Sequence, residues 1–259
     1  VPLTVRRGIT LVELLVALVL LGILGSLAGR ALLSQGRAAG ALKERHQAQS
    51  TIDQATSWIS SELVDLGFGD LVRLGADSLT YRAFRSVGLA CLVAPGEVRI
   101  RRDLLSFWRV PQPGRDSLLL LMATDSLPRA SAWAAFPILS VGVSSCAGLP
   151  ALRLGIGVTT ALPAGAPPLV PVRTFEVMQL RRYRSQGKWW LGARSESAGE
   201  ALQPVTGPLA EGGFQLTYRD VLGTEVAFPG EVRRVELYLE PASQRDSVRL
   251  LIQPRNLLP

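Results

Sequence analysis

The stretch Ile9–Gly29, ITLVELLVALVLLGILGSLAG, decides the fold. As a helix rising 1.5 Å per residue it would reach about 30 Å, enough to cross the hydrocarbon core of a bilayer. The eight residues ahead of it, VPLTVRRG, are short and basic, with Arg6 and Arg7 almost against the apolar run. Retention of those charges in the cytoplasm would leave the N-terminus inside and everything beyond Arg30 outside. One acid, Glu13, sits within the run. A carboxylate there costs about 2.5 to 3.5 kcal/mol on insertion scales, so the position calls for a specific partner. The alternative is that Glu13 snorkels toward the nearby headgroups. A secretory signal peptide shares the layout of charge followed by apolar residues. Against that reading, no A-x-A-like cleavage site follows, the run is longer than a usual signal core, and it contains an acid.

Working outward, residues 30–66 contain no proline, and their apolar positions change from continuous to periodic. Ile52, Ala55, Ile59, Leu63 and Leu66 recur at spacings of three and four, which puts one apolar stripe on a helix face. Gly67 is the predicted stop. The two stretches together read as one helix, first lipid-length and then amphipathic.

Beyond Gly67 the period changes to two. Leu79–Ala83, Val87–Val93, Ser117–Met122, Phe136–Val143, Arg173–Tyr183, Lys188–Gly192, Phe214–Tyr218, Val232–Leu239 and Val248–Ile252 are the predicted strands. PQPG at Pro111, LPAGAPPLVP from Leu162 to Pro171 and EGG at Glu211 are the predicted breakers. The expected fold class is α+β, with the long N-terminal helix packed on a mostly antiparallel sheet. The chain divides into residues 1–8, 9–29, 30–66 and 67–259: a leader, a membrane segment, its amphipathic continuation and a β-rich head.

Composition agrees with a folded body plus an anchor: 47% of residues are apolar, 19% are charged, and the mean hydropathy is +0.25. The net charge of +7 brings nucleic acid and anionic lipid into consideration. The arginines are dispersed, however, in short groups at Arg99, Arg101 and Arg102, at Arg181, Arg182 and Arg184, and at Arg233 and Arg234. Without an aromatic stacking pattern they read as solvated strand faces. Cys91 and Cys146 lack zinc-site spacing. They pair as a disulfide if the body lies outside the cytoplasm; otherwise they are two buried thiols. His46 is the only histidine and falls among polar residues of the helix. Asp103, Asp116 and Asp125 fit turn geometry, and Trp189 and Trp190 fit a strand packed on the core. No phosphate-cradling loop, metal spacing or nucleophile elbow is present, so neither an enzyme nor a cofactor is expected.

Residues 6–24, RRGITLVELLVALVLLGIL, resemble the class III signal of type IV prepilins and type II secretion pseudopilins. The resemblance implies cleavage by a prepilin peptidase directly after Gly8, followed by methylation of the new amine at Ile9. Phenylalanine is usual at that position, so Ile9 departs from the pattern. It further implies that Glu13 pairs with the amine of a neighbouring subunit, and that the partners are the peptidase/methyltransferase, the inner membrane and other pilins or pseudopilins. The body resembles, more loosely, the larger minor pilins and pseudopilins of the W and J types. The segments that carry this are DSLTYRAFRSVGLACLV, GRDSLLLLMATD, LRRYRSQGKWWLGARS, GPLAEGGFQLTYRD and VRRVELYLE. That likeness implies a subunit at or near a filament tip. An adhesin or DNA-uptake role for the same head is the alternative.

Overall fold

A computed structural model describes residues 11–67, 69–107, 109–123, 131–157, 169–242 and 247–254. Helix α1 runs without a break from Leu11 to Leu63. The chain forms two compact units, residues 1–49 and 50–259. Among the described residues of the first unit, α1 has no apolar core of its own. Its large side chains are largely solvent-facing, with Leu11 77% and Leu33 66% exposed. Ser26 and Ser34 return their hydroxyls to the carbonyls of Ile23 and Ala31, so neither interrupts the helix or leaves a polar group unpaired.

In the second unit the expected stripe is buried: Ile52, Ala55, Ile59, Leu63 and Leu66 are all in the core. The helix closes at Leu63, slightly before the predicted stop, and Val64 still donates to the Ser60 carbonyl. The Gly67 amide donates to Asp70 Oδ2 at 2.6 Å, which turns the chain into the first strand.

Among the described residues twelve strands follow: β1 Leu71–Leu74, β2 Ser78–Ala94, β3 Glu97–Arg101, β4 Ser106–Phe107, β5 Ser117–Ala123, β6 Ser131–Cys146, β7 Leu149–Ile156, β8 Val170–Ser185, β9 Lys188–Ser195, β10 Gln203–Arg219, β11 Arg234–Pro241 and β12 Val248–Ile252. Every pairing among them is antiparallel, in the order β1-β2-β3-β7-β6-β5-β8-β9-β10-β11-β12, with β4 on β2. A further pairing of β2 with β8, from Ser78↔Arg181 to Ala90↔Val170, changes the architecture. It closes β2, β3, β7, β6, β5 and β8 into a barrel, because each is bonded to the next and the last returns to the first.

Two cores result. The first half of β2, the second half of β8, and β1 and β9–β12 hold Leu79, Tyr81, Leu180, Leu191, Phe214 and Leu237 against Ile59 and Leu63 of α1. The barrel is filled by Val98, Ile100, Leu118, Leu120, Phe136, Ile138, Leu154 and Val172. Alternate residues of β8 trace the change from one core to the other: Val170 and Val172 belong to the barrel, and Met178 and Leu180 to the helix-backed core. Thr174 and Glu176, between them, are buried and polar.

Some expectations needed correction. EGG at Glu211 is not a break but lies inside β10, at a bulge between Leu209 and Phe214. Gly212 there has φ +78°, and a Cβ on Gly213 would run into the Glu240 carbonyl, so the ladder continues past the glycines because of them. β1, β3, β4 and β7 were not anticipated. β7 begins LP, and Pro150 disguised it; Ala147 and Gly148, at φ 48° and 83°, make the tight turn that pairs it with β6. The PQPG segment is a turn, as expected. Most of LPAGAPPLVP lies outside the described residues.

Candidate functional site

The residues that the sequence marked at the N-terminus fall partly outside the described region: Arg6, Arg7, Gly8 and Ile9 do. Glu13 is in the first turn of α1 and is exposed, within a surface of leucine, valine and isoleucine side chains. That surface extends to Leu42. Large apolar area left in water is disfavoured by about 25 cal/mol per Å², so this part of α1 requires lipid or another apolar surface around it. The helix is long and apolar enough to cross a membrane.

In the head, Cys91 of β2 and Cys146 at the end of β6 form a disulfide with Cα atoms 6.3 Å apart. β3 and β7 lie between their strands in the sheet order, so the bond ties the tip of the β6–β7 hairpin back across β3 to β2. The Arg99 guanidinium supports the same fold-over by reaching the Ser145 carbonyl at 3.5 Å.

A buried ionic cluster joins the helix to the sheets, and sequence reading did not find it. Its centre, Glu176, accepts from Arg85 Nε at 2.5 Å and Arg115 Nε at 2.6 Å, and lies 3.3 Å from Arg109 Nη2. Arg85 also reaches Glu62 of α1 at 3.3 Å, and Tyr81 donates to the same carboxylate at 3.2 Å. Arg109 makes a bidentate pair with buried Asp116, and Arg115 continues to Glu200. Burial alone would raise the Glu176 carboxyl; the Arg85 and Arg115 hydrogen bonds and charges outweigh it and bring the group to about 2. Each participant is an ordinary charged residue in a strand or loop pattern, so only the long-range β2–β8 register reveals the cluster. It ties the last turns of α1 to β2 and β8.

The other sequence candidates disperse. His46 is exposed on α1. Asp103 is exposed and paired with Arg101, and Asp116 is the buried partner of Arg109. Asp125 lies outside the described residues. Trp189 packs on the helix-backed core, and Arg182 lies 4.8 Å from its ring centroid with Nε and Nη1 buried, so Arg182 is not on the solvated face expected for it. Among the described residues no group of three His, Cys, Asp or Glu side chains could hold a metal ion.

A helix whose first half is long and apolar enough to cross a membrane, followed by an antiparallel β head, defines the class: a protein with a membrane-anchorable N-terminal helix and a β-rich head. Residues 4–29 match the prokaryotic N-terminal methylation motif, which supports a resemblance to prepilins and pseudopilins over that segment. The motif implies processing by a prepilin peptidase/methyltransferase. No curated protein and no solved structure matches the chain.

Proposed function

We propose that the chain is a minor pilin or pseudopilin, cut after Gly8 and assembled through its N-terminal helix at or near the tip of a type IV pilus or type II secretion pseudopilus. One observation carries the reading: the methylation motif of residues 4–29 opens a helix whose apolar surface continues, uncovered, to Leu42. Residues 1–8 are the leader, 9–29 the membrane and filament-core segment, 30–66 its amphipathic continuation and 67–259 the head. Before assembly the helix spans the inner membrane with the head extracytoplasmic. A disulfide-bonded head fits an oxidising compartment. In the filament the same apolar surface is covered by the helices of other subunits. Glu13 then sits beside the methylated amine of a neighbour's Ile9, an ion pair that lets both charges leave water and sets the axial register.

The test is co-expression with a prepilin peptidase followed by N-terminal sequencing. The mature chain is expected to begin at Ile9, and Gly8→Val to block the cut. Glu13→Gln is expected to be processed normally but to fall out of sheared filaments. A protein that keeps residues 1–8, or is severed beyond residue 29, rules the reading out; normal incorporation of the Gln variant rules out the role of the carboxylate.

A further inference from the structure

Away from the ionic cluster, β2, β5, β6 and β8 form a cleft of about 250 Å³ lined by Gly67, Asp70, Arg82, Phe84, Leu119, Trp133 and Arg173. The arginines here differ from those around Glu176. Arg173 lies 5.1 Å from the centroid of Phe84 and 5.0 Å from that of Trp133, and Arg82 lies 5.3 Å from that of Phe175. Neither guanidinium has a hydrogen-bond acceptor or a carboxylate within ion-pair distance among the described residues, whereas Arg85, Arg109 and Arg115 each have at least one. Contact with an aromatic ring occupies the face of a guanidinium and leaves its in-plane fork of N–H donors open to a planar bidentate acceptor.

The rest of the lining limits what that acceptor can be. Asp70 is buried, holds the Gly67 amide at 2.6 Å, and its carbonyl accepts the Arg82 amide at 2.8 Å, so it is fixed in place. Two guanidiniums less one carboxylate leave a single net positive charge, matched by a monoanion and not by a phosphate dianion. Phe84, Leu119 and Trp133, the last 40% exposed at the rim, supply an apolar wall. The volume admits one ring or side chain and no polymer.

We infer that this cleft binds a carboxylate attached to an apolar or aromatic group, with the forks of Arg82 and Arg173 on the carboxylate and the apolar part against Phe84, Leu119 and Trp133. Two sources present that chemistry: a free organic acid, or the C-terminus of a polypeptide ending in an apolar residue. The site stands independently of the filament reading, since it uses neither the leader nor Glu13.

Isothermal titration of the full-length chain in detergent micelles tests it, with 3-phenylpropanoate, phenyl phosphate, and a short peptide ending in phenylalanine whose C-terminus is either free or amidated. Saturable binding of 3-phenylpropanoate, of the free peptide, or of both is expected, with the amidated peptide silent. Binding of the free acid alone assigns a small-molecule source, and binding of the free peptide assigns a chain end. Arg173→Lys keeps the charge and removes the planar fork, and is expected to weaken binding roughly tenfold or more while leaving the melting temperature in place. Arg82→Gln is expected to do the same. Absence of saturable binding by both carboxylates, unchanged affinity in Arg173→Lys, or tighter binding of phenyl phosphate overturns the inference.

Discussion

Three guanidiniums converge on Glu176, a side chain only 2% exposed, so its removal takes away the carboxylate they share and leaves Arg85 to Glu62, Arg109 to Asp116 and Arg115 to Glu200. Breaking a buried ion pair by removing one partner costs about 3 to 5 kcal/mol, and Glu176→Gln is expected to fall in that range at pH 7. The folded carboxyl titrates near 2 against an ordinary 4.5. Folding therefore favours the ionised form. This stabilisation is complete above pH 4.5 and is lost as pH falls through about 2, an amount on the order of 3 kcal/mol. Urea denaturation of wild type and variant should accordingly show a stability gap at pH 7 that narrows by pH 3. A gap that stays constant over that range would show that the cluster acts through packing and not charge. None of this was legible in the sequence. Glu176 reads there as one polar position in an alternating strand, and its partners Arg85, Arg109 and Arg115 are 91, 67 and 61 residues away.

At the level of elements, α1 was the most legible part because it carries two periodic signals in succession. The unbroken apolar run and the later spacing of three and four each have one physical reading, and Ile52, Ala55, Ile59 and Leu63 are buried as that spacing requires. Ile59, with no exposed surface, packs among Tyr81, Leu180 and Phe214 in the core that joins helix to sheet. Ile59→Ala is expected to cost about 2 to 5 kcal/mol through lost burial and a residual cavity. Chemical denaturation followed by near-ultraviolet circular dichroism of the head would measure it; a loss below that range would mean the helix is dispensable to the fold. The strands were less legible. Alternation identified the apolar face of β2 and the continuous SLLLLM run marked β5 as buried, but β3 was hidden by its arginines and β7 by Pro150. The EGG bulge in β10 looked like an end because glycine signals a turn and a bulge in the same way.

For the whole molecule, alternation states which side of a strand is buried but not which other strand it meets. The closed barrel therefore lay beyond sequence reading; it depends on Phe84 finding Phe175 and Ala90 finding Val170 across the chain. The disulfide spans a separation of 55 residues in this barrel. In the chain-entropy account, closing such a loop contributes about 4 kcal/mol. Treatment with reductant is therefore expected to lower the denaturation midpoint of the head while the helical signal of α1 persists, and an unchanged midpoint would show the bond to be ornamental. The shared strands have a mechanical implication. β2 and β8 run through both cores, paired with each other on either side of one bulge between Phe84 and Ser86, so a load entering at the helix-backed core reaches the barrel along two shared strands. A head made this way should resist traction with its two cores linked, and yield in one step.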